Sequence, residues 1–131
     1  MKTLNSKLLL IVSIIMISVS CSSTKWIEGS WTGVGKQIDN KTWEMEFTAK
    51  PQADYKINYP GLSCSGNWKV MSKKGNQITF REEITINEMS RCDQGGEIVA
   101  TKINDNKMEL VFYLRSYDPV NPIATATLTK K

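Results

Sequence analysis

Short segments of alternating apolar and polar residues, separated by turn residues, recur along this chain from Trp26 onwards. In the segment 42–50, Trp43, Met45 and Phe47 alternate with polar side chains, as in a strand with one buried face. No long helical period is present. The pattern predicts eight short strands, at 29–38, 42–50, 54–59, 64–71, 77–86, 97–103, 107–115 and 123–129.

Hairpin-length connections join most of these segments. Eight antiparallel strands in sequence predict an all-β, up-and-down barrel, because closure removes exposed strand edges. A two-sheet β-sandwich is the alternative. We assign 1–20 to a signal peptide, 21–28 to a short tether and 29–131 to the barrel domain. A short helix at 22–28 remains open as an alternative to the tether.

The N-terminus has the features of an export signal. Lys2 and Lys7 supply positive charge, and an apolar run interrupted only by serines covers 8–19. That run is about a dozen residues long, whereas a membrane-spanning helix needs roughly 20. We therefore interpret it as a signal-peptide core and not as a permanent span.

Ser18-Val19-Ser20-Cys21 resembles the lipobox of bacterial lipoproteins, with Ser18 where the usual pattern has Leu. The resemblance implies that Cys21 carries lipid and becomes the N-terminus of a protein anchored to a membrane in the bacterial cell envelope, on the extracytoplasmic side. More than one acyl chain anchors stably where a single chain is marginal. The alternative is an ordinary secretory signal that leaves Cys21 as a spare thiol.

Cys64 and Cys92 lie beside turns on either side of the fifth predicted strand. Export places them in a compartment where disulfides form. The chain has three cysteines, and lipidation of Cys21 would leave Cys64 and Cys92 as the two available to pair. A bridge closing a loop of about 29 residues should stabilise the fold by roughly 3–4 kcal/mol. The alternative is a pair of reduced, buried cysteines.

The composition excludes several classes of site. The chain has no histidine, which excludes Ser-His-Asp and Cys-His sites and histidine-ligated zinc. Removing 1–20 leaves 15 Lys and Arg against 13 acids, a formal charge of +2. No basic stripe is evident, so we expect no nucleic-acid partner. We also expect no metal, no cofactor and no catalytic residues.

Glu82 falls on the inward face of the fifth strand, in the series Ile78, Phe80, Glu82, Ile84 and Ile86. A buried carboxylate is costly unless it is paired or hydrogen-bonded. It is therefore either a polar hook for a ligand or half of a structural pair with Arg115 or Arg91. The candidate ligand-binding residues are Glu82, Trp43, Tyr55, Trp68 and Phe80. An eight-stranded barrel is filled by side chains or holds one small ligand, and the short chain favours a filled interior.

Gly29-Ser30-Trp31 resembles the Gly-x-Trp motif of lipocalin-like barrels, in which the Trp closes one end. The larger pattern adds the segments 59–68 and 80–84 and Cys92 with Gly95-Gly96. It resembles a small extracytoplasmic domain of bacterial lipoproteins and implies a disulfide-bonded β module without known chemistry.

Together these features favour a non-enzymatic envelope lipoprotein whose barrel binds a small amphipathic molecule or an envelope component. One alternative is a protein-interaction module, such as a lysozyme inhibitor or an assembly accessory for an envelope protein. A second is an enzyme that uses Glu82 with Glu44 or Asp93, as paired carboxylates do in glycoside hydrolysis, although the spacing gives it no support.

Overall fold

The structure is a computed structural model that describes residues 24–51 and 55–131. The predicted signal peptide at 1–20 and the predicted lipid site Cys21 lie outside the described residues. Two short 3₁₀ helices, Lys25–Ile27 and Pro60–Leu62, accompany the strands. The strands are β1 (Gly29–Gln37), β2 (Thr42–Ala49), β3 (Tyr55–Tyr59), β4 (Cys64–Lys74), β5 (Gln77–Asn87), β6 (Glu97–Asn104), β7 (Lys107–Tyr113) and β8 (Ala124–Lys130).

Each strand pairs antiparallel with the next, and β8 pairs with β1 from Trp31↔Lys130 to Gln37↔Ala124. The eight-stranded up-and-down barrel is therefore confirmed, and the sandwich alternative is wrong. Because the strands alternate in direction, their connections fall at two ends. We call the end that contains the start of β1 the closed end, and the end that contains the loops 38–41, 60–63, 88–96 and 114–123 the open end.

The barrel interior is filled by its own side chains. Among the described residues, 20 hydrophobic side chains form one buried cluster that extends from Ile27 to Leu128. The rings of Phe47 and Trp68 stack with centroids 4.8 Å apart, and those of Trp68 and Phe80 lie 5.3 Å apart. Aromatic side chains of β2, β4 and β5 therefore meet inside the barrel.

Two extra residues in the β4–β5 hairpin change the predicted faces. Ile86 was expected to point inward but is 53% exposed. Gly66 pairs with Ile84 and Ser65 with Ile86, so Thr85 has no partner and the inward alternation breaks. A second shift leaves Met71 unpaired, next to Val70, which is 37% exposed although it was expected on the face of Trp68.

The segment assigned to the tether contributes to the closed end. Residues Lys25–Ile27 form a 3₁₀ helix, and Ile27 is fully buried. The indole N–H of Trp31 donates to the carbonyl of Ile27 at 2.8 Å. Lys130 Nζ lies 5.0 Å from the centre of the Trp31 ring and donates to the carbonyl of Trp26. Trp31 is therefore buried at the closed end, in contact with the 3₁₀ helix and with the end of β8.

The predicted bridge between Cys64 and Cys92 is confirmed. Their Cα atoms lie 6.5 Å apart and the residues are 28 positions apart in sequence, within the span that a disulfide reaches. Cys64 begins β4 and Cys92 lies in the loop between β5 and β6, so the bridge ties this loop to the barrel wall.

Candidate functional site

A pocket of about 80 Å³ opens at the open end of the barrel. The end of β1, the starts of β2 and β8, the end of β7 and the loop 88–96 surround it. Its apolar wall is formed by Trp43, Leu62, Phe112, Leu114 and Ile123. Its polar lining includes Gln37, Tyr59, Glu82, Arg91 and Asp93. The pocket therefore combines a mainly apolar wall with a few convergent polar groups, as ligand sites commonly do.

Glu82 is the buried acid of this pocket, and two neutral donors hold its carboxyl group. The indole N–H of Trp68, directly across from Glu82 on β4, donates to Oε2 at 2.8 Å. The hydroxyl of Tyr59 on β3 donates to the same oxygen. The backbone N–H of Glu82 donates to the carbonyl of Gly96 at 2.7 Å. Side chains of β3 and β4 thus hold the carboxyl group, and Gly96 holds the main chain of Glu82.

The proposed pairing of Glu82 with arginine does not hold for Arg115. Arg115 lies 3.6 Å from Glu97 and donates to the carbonyl of Pro119. Arg91, the other proposed partner, lines the pocket. The hydrogen bonds from Tyr59 and Trp68 both reach Oε2, whereas Oε1 lies 3.7 Å from the position of a Cβ atom built on Gly96, another lining residue. Both of these hydrogen bonds thus use Oε2, and Oε1 lies on the side of Gly96.

Burial raises the pKa of the Glu82 carboxyl group, and the nearby Asp93 raises it further. The hydrogen bonds from Tyr59 and Trp68 act in the opposite direction, but burial outweighs them. Burial, followed by the charge of Glu82, also raises the pKa of Tyr59 well above its usual value. Tyr59 therefore stays a hydrogen-bond donor, and Glu82 binds its proton more firmly than an exposed glutamate does.

We expect Glu82 to make stability depend on pH. The pKa of Glu82 is higher in the folded state than in the unfolded state, where it is about 4.3. The contribution of Glu82 to the unfolding free energy is therefore fully present below the unfolded pKa and is lost as pH rises through the folded pKa. Glu82→Gln, which cannot ionise, should become progressively more stable relative to wild type as pH rises from about 4 to 8. Urea unfolding across this range measures the difference in unfolding free energy.

Tyr59→Phe provides the companion measurement. The hydrogen bond from the Tyr59 hydroxyl lowers the pKa of Glu82, so removing it should raise that pKa further. The pH range over which the stability contribution of Glu82 is lost should therefore extend to higher pH. A difference between wild type and Glu82→Gln that is constant with pH would contradict a raised pKa in the folded state.

Amide side chains hold the loop 88–96 in place beside the pocket. Asn87 Nδ2 donates to the carbonyl of Cys92 at 2.8 Å, and the N–H of Cys92 donates back to Asn87 Oδ1. Gln94 accepts from the N–H of Ile84 and donates to its carbonyl at 2.7 Å. The register of β5 with β6 ends at Arg81↔Glu97. Beyond it, the Gln94 side chain makes the two hydrogen bonds to the main chain of Ile84 that a neighbouring strand would otherwise make.

The inner pocket continues into an outer groove of about 290 Å³. Four residues line both: Gln37, Asp93, Leu114 and Ile123. The groove adds Ile38, Asp39 and Tyr117, of which Ile38 is 69% and Tyr117 73% exposed. A path with an apolar rim therefore runs from the Glu82 carboxyl group to the surface.

Two of the five candidate ligand residues line the pocket. Glu82 and Trp43 line the pocket, whereas Trp68 does not line it and donates a hydrogen bond to Glu82. Tyr55 and Phe80 pack on each other with ring centroids 5.2 Å apart and do not line it. Tyr59, Phe112 and Ile123 line the pocket but are not among the five candidates. Tyr59 could have been included, since the two-residue period of a strand puts it on the same face as Tyr55.

Within 24–51 and 55–131, no three His, Cys, Asp or Glu side chains are grouped so that they could hold a metal ion. In the same part of the chain, no helix has the length and apolar character needed to cross a bilayer.

Comparison with known proteins identifies the fold alone. No protein-family description matches the chain, and no curated protein matches it. A solved structure of a redesigned β-barrel superposes with a TM-score of 0.64 at 16% identity, over 86% of this chain and 97% of that one. The structure of EF1p2_mFAP2b bound to DFHBI superposes with a TM-score of 0.57 at 12% identity, over 84% of this chain and 98% of that one.

Proposed function

We propose that this protein is a non-enzymatic lipoprotein of the cell envelope, anchored through lipid on Cys21, whose barrel binds a small amphipathic molecule at the open end. The observation that carries the binding proposal is the buried Glu82 carboxyl group, held by Tyr59 and Trp68 at the base of an apolar pocket. Maintaining a buried acid costs stability, and a ligand that donates a hydrogen bond to it would offset that cost.

The size of the pocket limits what can enter it. Pockets that enclose drug-sized ligands measure about 300–1,000 Å³, whereas this one measures about 80 Å³. We infer that only the polar head of a ligand enters, as an ammonium or hydroxyl group that donates to Glu82 Oε1. The apolar body would then extend past Ile123 into the groove beside Tyr117. The barrel EF1p2_mFAP2b holds DFHBI, which supports ligand binding by this fold.

Glu82→Gln should weaken retention of this ligand by at least tenfold. A hydrogen bond to a charged group contributes about 1.5–3 kcal/mol. The amide that replaces the carboxylate would lack the charge, and its NH₂ group would face a ligand head that is itself a donor. Native mass spectrometry of the protein purified from its own membranes would give the bound fraction for wild type and variant. Ile123→Trp, which narrows the junction of pocket and groove, should also lose the ligand.

Thr125→Ala is the matched control, because this exposed side chain lies near Ile123 but lines neither the pocket nor the groove. It should retain the ligand at the wild-type level. A wild-type protein that carries no small molecule, or a Glu82→Gln variant that retains it fully, would refute the proposal.

A protein-interaction module is the second candidate, and the open-end loops favour it. These loops carry exposed large hydrophobic side chains, with Tyr117 at 73% and Val120 at 74% exposure. The same mass-spectrometry experiment separates the two candidates, because a co-purifying protein that survives Glu82→Gln would point to the rim and not to the pocket.

A further inference from the structure

We propose that the closed end of the barrel lies on an anionic lipid surface, so that the open end and its pocket point away from the membrane. This orientation agrees with the lipid anchor of the proposed function, but the charge distribution of the barrel alone carries it.

The topology collects at the closed end lysines that are far apart in sequence. The β4–β5 hairpin presents Lys73 and Lys74, and the β6–β7 hairpin presents Lys107. These hairpins are neighbours, since the N–H of Lys102 donates to the carbonyl of Asn76 at 2.9 Å. The surface is therefore continuous across two turns.

The chain termini of the barrel add to the same surface. The N–H of Lys130 donates to the carbonyl of Asn106, and that of Lys131 to the carbonyl of Ser30, both at 2.8 Å. Lys25 lies in the 3₁₀ helix that precedes β1, and Lys50 follows β2. These contacts place the last strand and the chain entry beside the β6–β7 hairpin.

We define the basic end as the described residues 24–29, 50–51, 73–77, 102–107 and 129–131. Among them are eight lysines and two acids, Glu28 and Asp105, a formal surplus of six positive charges. Lys102 pairs with Asp105 at 3.3 Å, and Lys130 lies over Trp31. The exposed lysines are Lys50, Lys73, Lys74, Lys107 and Lys131, besides Lys25.

The open end has the opposite balance. Its four loops, 38–41, 60–63, 88–96 and 114–123, carry three basic residues and four acids. Exposed charges interact over about 8–10 Å at physiological ionic strength, so an approaching surface responds to the end that faces it. An anionic bilayer therefore attracts the basic end and not the open end.

The position of the chain entry favours the same orientation. Thr24 is the first described residue, three positions after Cys21, and it precedes the 3₁₀ helix of the basic end. Three residues span at most about 10 Å, so lipid on Cys21 would bring this end to the bilayer. A lipid chain combined with a basic patch is a recognised pair of membrane signals.

The test uses the barrel from Ser22 onwards, which keeps every strand and the whole described core but lacks lipid. It should co-sediment with phosphatidylcholine vesicles containing about 30% phosphatidylglycerol at an ionic strength of about 0.15 M. Binding to pure phosphatidylcholine should be at least tenfold weaker, and binding to both should be lost at about 1 M salt.

Replacing Lys50, Lys73, Lys74 and Lys107 by Gln should weaken binding to the anionic vesicles at least tenfold, since each lysine near such a surface contributes about fivefold. The control replaces four basic residues of the wall and open end by Gln: Lys36, Lys41, Lys69 and Arg81. The control should lose no more than threefold, and circular dichroism should confirm that both variants fold.

Equal binding to neutral vesicles, or equal loss in the two variants, would overturn the proposal. So would tighter binding to duplex DNA than to anionic vesicles at the same salt concentration, because the basic end would then be a nucleic-acid surface. Full-length Cys21→Ala tests the lipid anchor separately. Its release from the membrane fraction by salt would support both the lipid on Cys21 and the basic end as membrane signals. Its firm retention in high salt would contradict the lipid anchor but not the proposal about the basic end.

Discussion

Gly66→Ala should destabilise the barrel by about 3 kcal/mol or more, because backbone atoms occupy the space that the new methyl group needs. A Cβ atom at Gly66 would collide with the carbonyl oxygen of Glu83 and lie 2.8 Å from the Cα of Ile84. These are main-chain atoms of the paired strand, so no side chain can rotate away. Urea unfolding monitored by tryptophan fluorescence measures the loss.

Gly61→Ala is the matched control. Among the described residues beyond its own short helix and its chain neighbours, none has an atom within 4 Å of a Cβ built at Gly61, and the φ of Gly61 is not positive. The unfolding free energy should change by less than about 0.5 kcal/mol. If Gly66→Ala instead unfolds at the wild-type urea concentration, the close approach of β4 to β5 described above is wrong.

Replacing both Cys64 and Cys92 by Ala should lower the unfolding free energy by about 3–4 kcal/mol. The bridge spans 28 positions, and a closed loop of this length restricts the unfolded chain by roughly that amount. For a domain whose net stability is about 5–15 kcal/mol, this is a large share. Thermal and urea unfolding of wild type and variant provide the values.

Reductant provides the internal check on this second prediction. Wild type unfolded in excess dithiothreitol should match the double variant, whereas dithiothreitol should leave the variant unchanged. The folded variant should keep the 88–96 loop in place, because Asn87 and Gln94 hold it independently of the bridge. A double variant as stable as oxidised wild type would contradict a stabilising disulfide.

Most of the fold could be predicted from the sequence. Strand bounds follow from the two-residue alternation and from Gly, Pro, Asn and Asp at turns, and each observed strand overlaps its predicted segment. The miss at Ile86 has a physical cause. The extra residue Thr85 reverses the alternation, and a bulge depends on how two strands pair, which one strand read alone does not reveal.

The candidate site was predicted less completely. Alternation identified Glu82 as inward-facing, and it is buried. The predicted pairing of Glu82 with Arg115 was wrong. Charge suggested an ion pair, whereas the neutral donors Tyr59 and Trp68 hold the carboxyl group. Tyr59, Trp68 and Glu82 lie on β3, β4 and β5, and hydrogen bonds among three strands depend on strand register and side-chain rotamers.

Residue type and local period were enough to predict the strand count, the inward-facing Glu82 and the two cysteines available for a bridge. Three other features depend on how the strands pair in space: which end is open, which donors reach the buried acid and where the positive charge gathers. The lysines of the basic end lie singly or in pairs along the chain. They become one surface only because antiparallel closure returns every second connection to the same end of the barrel.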